Sequence, residues 1–244
     1  MVLLYLQPMV NIKTGKIVAA EAVIRWLHPE YGIISPADFI SIAEQQGLMI
    51  EIGKWVFENV CIYLAKLRND RLPLIKIAVN LSDRQISHPT LSQEFTKILI
   101  EQKISAKLIS VEVTDSIFQE YINLAVRRLR LLKSLGFEIT LDSFGTDQSS
   151  LNYLSKFPFD TLKMDCSLVK NLHLTPANET IAATIIDVAQ KLNMEIVAKG
   201  VERKSELQFF YEHQCYNIQG NIFGRPILAS EFITFANKLV IPSI

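Results

Sequence analysis

Residues Phe137 to Asp165, FEITLDSFGTDQSSLNYLSKFPFDTLKMD, read as strand, loop, helix, strand. Phe137-Glu138-Ile139-Thr140-Leu141 is rich in strand formers and runs into a carboxylate, Asp142. Gly145 permits a tight bend in the loop Ser143 to Asp147, and Ser149-Ser150 can cap the next helix. Thr161 to Asp165 forms the second strand, with Lys163 near its end. Two apolar strands joined through a helix are parallel, so Asp142 and Lys163 arrive at the same end of a sheet. That end is where α/β proteins place their chemistry.

The same alternation extends in both directions. Upstream, residues 3–10 and 17–26 are strand-like, and the six-residue link Asn11 to Lys16 allows only a hairpin, so these two strands are antiparallel. Ser35-Pro36 opens a helix over 36–46, with Ser35 as N-cap, and a second helix covers 50–69. Strand 76–81, helix 90–102, strand 108–114 and an amphipathic helix over 121–135 follow, the last with arginines on one side. Downstream come helix 178–192, strand 195–198, helix 204–213, a short strand at Asn217-Ile218 and a closing helix from Ser230. Eight strands alternating with helices predict an α/β fold, a TIM-like (β/α)8 barrel with an antiparallel first strand. An open doubly wound sheet is the alternative. No linker or internal repeat divides residues 1–244, so one domain is expected, either free-standing or cut from a larger protein.

Composition narrows the function. Acidic and basic residues balance at 25 each, which gives no field for nucleic acid or for an anionic membrane. No apolar run is long enough to span a membrane. The three cysteines are widely spaced and fit a reducing cytoplasm. The four histidines show no metal-binding spacing and read as surface or loop residues.

The strand ends carry the chemistry. Strands two to eight supply Glu21, Asn80, Glu112, Asp142, Lys163, Lys199 (with Glu202 beyond it) and Gln219 in turn. A polar group in an apolar strand costs several kcal/mol, about 2–7, unless it is paired or solvated. Seven strands each supplying one towards one rim is hard to explain as a structural accident. Glu21, Asn80, Glu112 and Asp142 form a hard oxygen set that suits Mg²⁺ or Mn²⁺, and an ion-paired network with the two lysines is the competing reading.

These residues resemble the EAL domain family of cyclic di-GMP phosphodiesterases and their non-catalytic relatives. The resemblance rests on Gln7-Pro8, Glu21-Ala22-Val23 with Arg25-Trp26, His28-Pro29, Ile34-Ser35-Pro36, Asn80-Leu81-Ser82 and Glu112-Val113-Thr114-Asp115. It continues through Asp142-Ser143-Phe144-Gly145-Thr146, Lys163-Met164-Asp165, Ala198-Lys199-Gly200-Val201-Glu202, Gln219-Gly220 and Arg225-Pro226. It implies the barrel with its reversed strand and a bacterial, cytoplasmic signalling role. In active members two divalent metals activate a water that opens one phosphodiester to give pGpG.

The departures from the family pattern decide the expected activity. The family's paired aspartates become Asp142-Ser143, and a glutamate in its metal site becomes Lys199. Asp115 stands where the family prefers Glu, and Gly145-Thr146-Asp147-Gln148 replaces the Gly-Thr-Gly-Tyr of a loop thought to couple dimerisation to activity. Unit charges about 4 Å apart at an effective dielectric of about 20 interact by about 4 kcal/mol, and a divalent ion beside Lys199 feels about twice that. Two metals are therefore untenable; at most one weakly held Mg²⁺ or Mn²⁺ on Glu21, Asn80, Glu112 and Asp142 survives, and no cofactor is expected. The reading is a degenerate member in which the Lys199 ammonium occupies the metal's place and pairs with those carboxylates. Glu21, Asn80, Glu112, Asp142, Lys163 and Glu202 are then catalytic remnants, with Ser143 and Lys199 as the inactivating replacements. By resemblance, Gln7, Glu21, Val23, Arg25, Asn80, Lys163, Gln219, Arg225 and Pro226 line a cyclic di-GMP site, with Arg25, Lys163 and Lys199 as its cations. The expected function is a catalytically inactive cyclic di-GMP receptor. A protein-interaction module that binds no nucleotide and a weak phosphodiesterase are the alternatives. A homodimer is a family expectation, a protein partner is compatible with the reading, and neither nucleic acid nor membrane insertion is expected.

Overall fold

A computed structural model describes residues 1–120, 122–146 and 151–239. The loop residues Asp147 and Gln148 and the proposed Ser149-Ser150 cap lie outside the described residues. The barrel strands are β1 (Val2–Asn11), β2 (Lys16–His28), β4 (Lys76–Asn80), β5 (Ile109–Thr114), β6 (Glu138–Phe144), β7 (Thr161–Met164), β8 (Glu195–Lys199) and β9 (Asn217–Gln219). From β2 onward the neighbours pair in parallel up to β9. β1 closes the ring by pairing antiparallel with both β2 and β9. The sequence-predicted barrel, with its reversed first strand, is the fold.

Two short strands were not legible in the sequence. β3 (Gly32–Ile34) extends β2 as a hairpin, and β10 (Ile227–Leu228) adds to the free edge of β1. Helices α1 (Pro36–Gln45), α2 (Met49–Asn69), α3 (Asp83–Ser87), α4 (Leu91–Gln102), α5 (Ile117–Glu120), α6 (Ile122–Ser134), α7 (Leu151–Lys156), α8 (Cys166–Lys170), α9 (Pro176–Lys191), α10 (Lys204–Glu212) and α11 (Phe232–Ala236) run between or after the strands. The helix expected over 90–102 is thus preceded by the separate α3, which Ser82 and Gln85 cap reciprocally. The closing helix begins as a 3₁₀ turn at Ala229–Glu231. Ser35 does hold the N-cap position of α1, but its hydroxyl donates to the Asp38 carboxylate at 2.9 Å instead of accepting from a backbone N–H.

The main core lies between the outer face of the barrel and the helices. There Phe57 of α2 stacks on Phe95 of α4 with ring centroids 3.7 Å apart. Inside the barrel the filling is different. Side chains of one strand alternate between faces, so residues two apart share the interior. Met9, Ala19, Ala78 and Val197 form a small interior cluster. Together with Ser110, Thr140, Thr161 and Asn217 they border an interior cavity of about 250 Å³. Two residues further along each strand, towards the carboxyl ends of β2 and β4–β9, stands the polar layer that forms the site.

Candidate functional site

The polar layer separates into two ion-paired groups. In the first, Lys163 of β7 is 1 % exposed and donates to Glu112 Oε1 at 2.7 Å, to Glu112 Oε2 at 2.8 Å and to Glu21 Oε2 at 2.8 Å. Asn80 at the end of β4 donates to Glu21 Oε1 at 2.8 Å. Gln219 of β9 donates to Glu21 Oε2 at 2.8 Å and to Gln7 Oε1 at 3.2 Å. Three barrel strands, β4, β7 and β9, thus converge on the Glu21 carboxylate.

In the second group Lys199 of β8 donates to both oxygens of Asp142, at 2.7 and 2.8 Å, and reaches Ser143 Oγ at 3.5 Å. Asp142 and Ser143 are neighbours in sequence and would face opposite sides of a regular strand. The β6–β7 register slips between Leu141 and Phe144, and Ser143 takes a left-handed φ of 56°. This bulge turns both side chains towards Lys199. The Ser143 backbone N–H donates to Asp142 Oδ1 at 2.7 Å, and its hydroxyl bonds the Asp165 carboxylate.

The electrostatics follow from this partition. Burial alone would raise the Glu21 pKa, but the Lys163 and then Lys199 ammonium groups and the bonds from Lys163 and Gln219 outweigh it and bring it down to about 2. Glu112 is pushed the other way, to about 8, because burial and the charges of Glu21 and Asp142 outweigh its share of Lys163. Lys163 is itself held above the ordinary lysine value: burial opposes its charge, and Glu112, Glu21 and Asp142 more than compensate. Burial pushes the Cys61 and Cys215 thiols up to about 12, so neither is a poised nucleophile.

The expectation that Lys199 pairs with the whole carboxylate set is corrected by this geometry. Lys199 takes Asp142, while Glu21 and Glu112 go to Lys163. The ligand-facing cations differ in their surroundings. All three Lys163 donors are spent on the Glu21 and Glu112 carboxylates. Arg25 is half-buried, donates to Ile24 O at 2.8 Å and lies 5.7 Å over the Tyr5 ring. Val23 is half-buried and borders a groove of about 700 Å³ that also reaches Glu21 and Asn80. Glu202 is exposed and turned to Asn221, whose amide donates to it at 2.9 Å, and it does not join either lysine group. Arg225 is exposed and Pro226 half-buried, both just before β10. The sequence marks Asp165 only as part of the Lys163-Met164-Asp165 motif. It caps α8, accepts from the Ser167 N–H at 2.8 Å and adds a carboxylate beside Lys199 and Ser143. The side chains present do not suit a pair of divalent cations, because Glu21, Glu112 and Asp142 each already hold an ammonium group. Among the described residues no cluster of three or more His, Cys, Asp or Glu groups converges as a metal site requires.

The sequence model of one family, described as the EAL domain, matches residues 2–226. The cyclic di-GMP phosphodiesterase PdeR of Escherichia coli is 36 % identical over 229 residues, which is 94 % of this chain and 34 % of PdeR. The chain thus spans about a third of the length of such curated relatives. Among solved structures, the MucR phosphodiesterase of Pseudomonas aeruginosa in complex with c-di-GMP superposes with a TM-score of 0.90 at 32 % identity, covering 95 % of this chain and 94 % of the other. The EAL domain of Mycobacterium smegmatis DcpA superposes with a TM-score of 0.84 at 28 % identity, covering 99 % of this chain and 100 % of the other. Among the described residues no helix is long and apolar enough to cross a membrane.

Proposed function

Because the chain belongs to the EAL domain family, we propose that it is a cyclic di-GMP receptor that holds the nucleotide without two-metal catalysis. One observation carries this reading: the Lys199 ammonium sits on both oxygens of Asp142 while Lys163 takes Glu21 and Glu112. The carboxylates that would ligate Mg²⁺ or Mn²⁺ are internally neutralised, and a dication entering beside them meets two fixed positive charges. The nucleotide-facing side is built differently. Gln7 and Gln219 are oriented by their mutual bond, and Arg25 presents a planar fork suited to a phosphate or a guanine edge. Relatives named as phosphodiesterases support the choice of nucleotide, and Ser143 and Lys199 are the reason for reading binding without turnover.

Calorimetric titration of cyclic di-GMP in EDTA, repeated with Mn²⁺ and followed by chromatography of the cell contents, tests the proposal. Binding in EDTA with no pGpG in either condition is expected, and Arg25→Ala is expected to abolish it. Appearance of pGpG with Mn²⁺ would make the domain an enzyme. Absence of binding in both conditions would leave it a protein-interaction module.

A further inference from the structure

The two lysines differ in what they have left to give. An ammonium group has three donors. Lys163 has spent all of them at 2.7–2.8 Å and is 1 % exposed. Lys199 has spent two on Asp142, and its third meets only the Ser143 hydroxyl at 3.5 Å, at the limit of a hydrogen bond. Its side chain is 19 % exposed against 7 % for Asp142, so Lys199 is the more accessible member of the pair. It borders a pocket of about 210 Å³ shared with Gln7, Glu21, Gly200 and Gln219. Gln219 is the direct neighbour of Lys199 across β8 and β9, and its Oε1 is buried with no hydrogen-bond partner.

We propose that Lys199 is the phosphodiester anchor of this pocket, its free donor gripping a ligand phosphate oxygen in the place where a metal ion would otherwise stand. This rests on the reading of the domain as a cyclic di-GMP receptor and names the group that makes metal unnecessary. The chemistry favours an anionic ester: the bond from an ammonium donor to a charged phosphate oxygen is about twice as strong as one to a neutral acceptor. The Gln219 oxygen beside it accepts a hydroxyl or amino proton from the same ligand. Asp142 is then the competitor of the phosphate for Lys199, which fixes the sign of its effect. Neutralising Asp142 releases the ammonium and tightens binding, whereas a purely structural Asp142–Lys199 pair predicts weaker binding or none of this gain.

The experiment is calorimetry of cyclic di-GMP in EDTA on the wild-type domain, on Asp142→Asn, and on Asp142→Asn with Lys199→Met. The double variant carries no unpaired charge at this position, so it tests the anchor without a buried orphan. Asp142→Asn is expected to bind several-fold tighter than wild type. The double variant is expected to bind about ten-fold or more weakly than Asp142→Asn, the loss typical of one charge-assisted hydrogen bond. Circular dichroism confirms that each variant is folded. If wild type binds and the double variant binds as well as Asp142→Asn, Lys199 is not the anchor and the receptor reading stands without it. If wild type does not bind at all, the receptor reading itself fails and this assignment falls with it.

Discussion

Glu112 and Lys163 set how the barrel interior responds to protons and to mutation. Glu112 holds its proton up to about pH 8 in the fold but only to its ordinary value of 4.5 in the unfolded chain. Between those values the folded state binds the extra proton, so this group's contribution to stability falls as pH rises. Glu21 has the opposite sign: its pKa of about 2 contributes stability that is fully present above 4.5 and lost as pH falls towards 2. Urea unfolding across pH 4.5 to 8 is therefore expected to show a downward component that Glu112→Gln removes; an unchanged slope in that variant would show that Glu112 titrates normally. Lys163→Met leaves the buried Glu21 carboxylate without its cation and is expected to cost about 3–5 kcal/mol, as broken buried pairs do. Adding Glu21→Gln to Lys163→Met should recover part of that loss in the same unfolding measurement. The sequence made these residues legible as a polar ring, since each stands in an otherwise apolar strand. It did not reveal which lysine serves which carboxylate, because Lys163 and Lys199 look alike until the stagger between strands sets their reach.

At the scale of single elements, what was legible depended on length and on the chain itself rather than on its neighbours. β1 and β2 are ten and thirteen residues long and joined by a short turn, so their antiparallel pairing could be read directly. β3 and β10, at three and two residues, are too short to show a period of two and exist because β2 and β1 offer unpaired edges. The bulge in β6 is equally silent in sequence, although Ser143 in the left-handed region is its fingerprint once the backbone is known. Gly220 shows the same limit. The sequence marks it only as following Gln219, but a Cβ there would lie 2.0 Å from the Val201 carbonyl oxygen and 2.6 Å from its nitrogen. The backbones of the β9 end and of the loop after β8 touch at that point, where Ile222 N–H donates to Val201 O at 3.3 Å. Gly220→Ala is expected to destabilise the domain by about 1–3 kcal/mol, the usual cost of overpacking. A thermal midpoint equal to wild type would mean the loop yields without cost.

The molecule as a whole is a family barrel whose polar interior is closed by its own cations, and this determines how it answers to metal. A ligand that binds only the folded state stabilises it by about 2.7 kcal/mol when present at about 100 times its Kd. For a chain of this size each kcal/mol moves the thermal midpoint by about 2–4 °C. The wild-type domain, with Lys199 on Asp142 and Lys163 between Glu21 and Glu112, is expected to show no rise in midpoint with millimolar Mn²⁺. Changing Ser143→Asp and Lys199→Glu together removes one cation and adds two carboxylates beside Asp142 and Asp165. In EDTA that variant should be less stable than wild type, since four carboxylates then crowd one bulge with no ammonium among them. With Mn²⁺ its midpoint should climb by several degrees, because a dication relieves the same repulsion it is attracted by. The two arms separate the roles of the lysine. A variant that recovers with Mn²⁺ shows that Lys199 substitutes for a metal within an otherwise intact ligand set. One that stays destabilised at every Mn²⁺ concentration shows that the bulge no longer holds metal-binding geometry, and that Lys199 has become part of what closes the barrel.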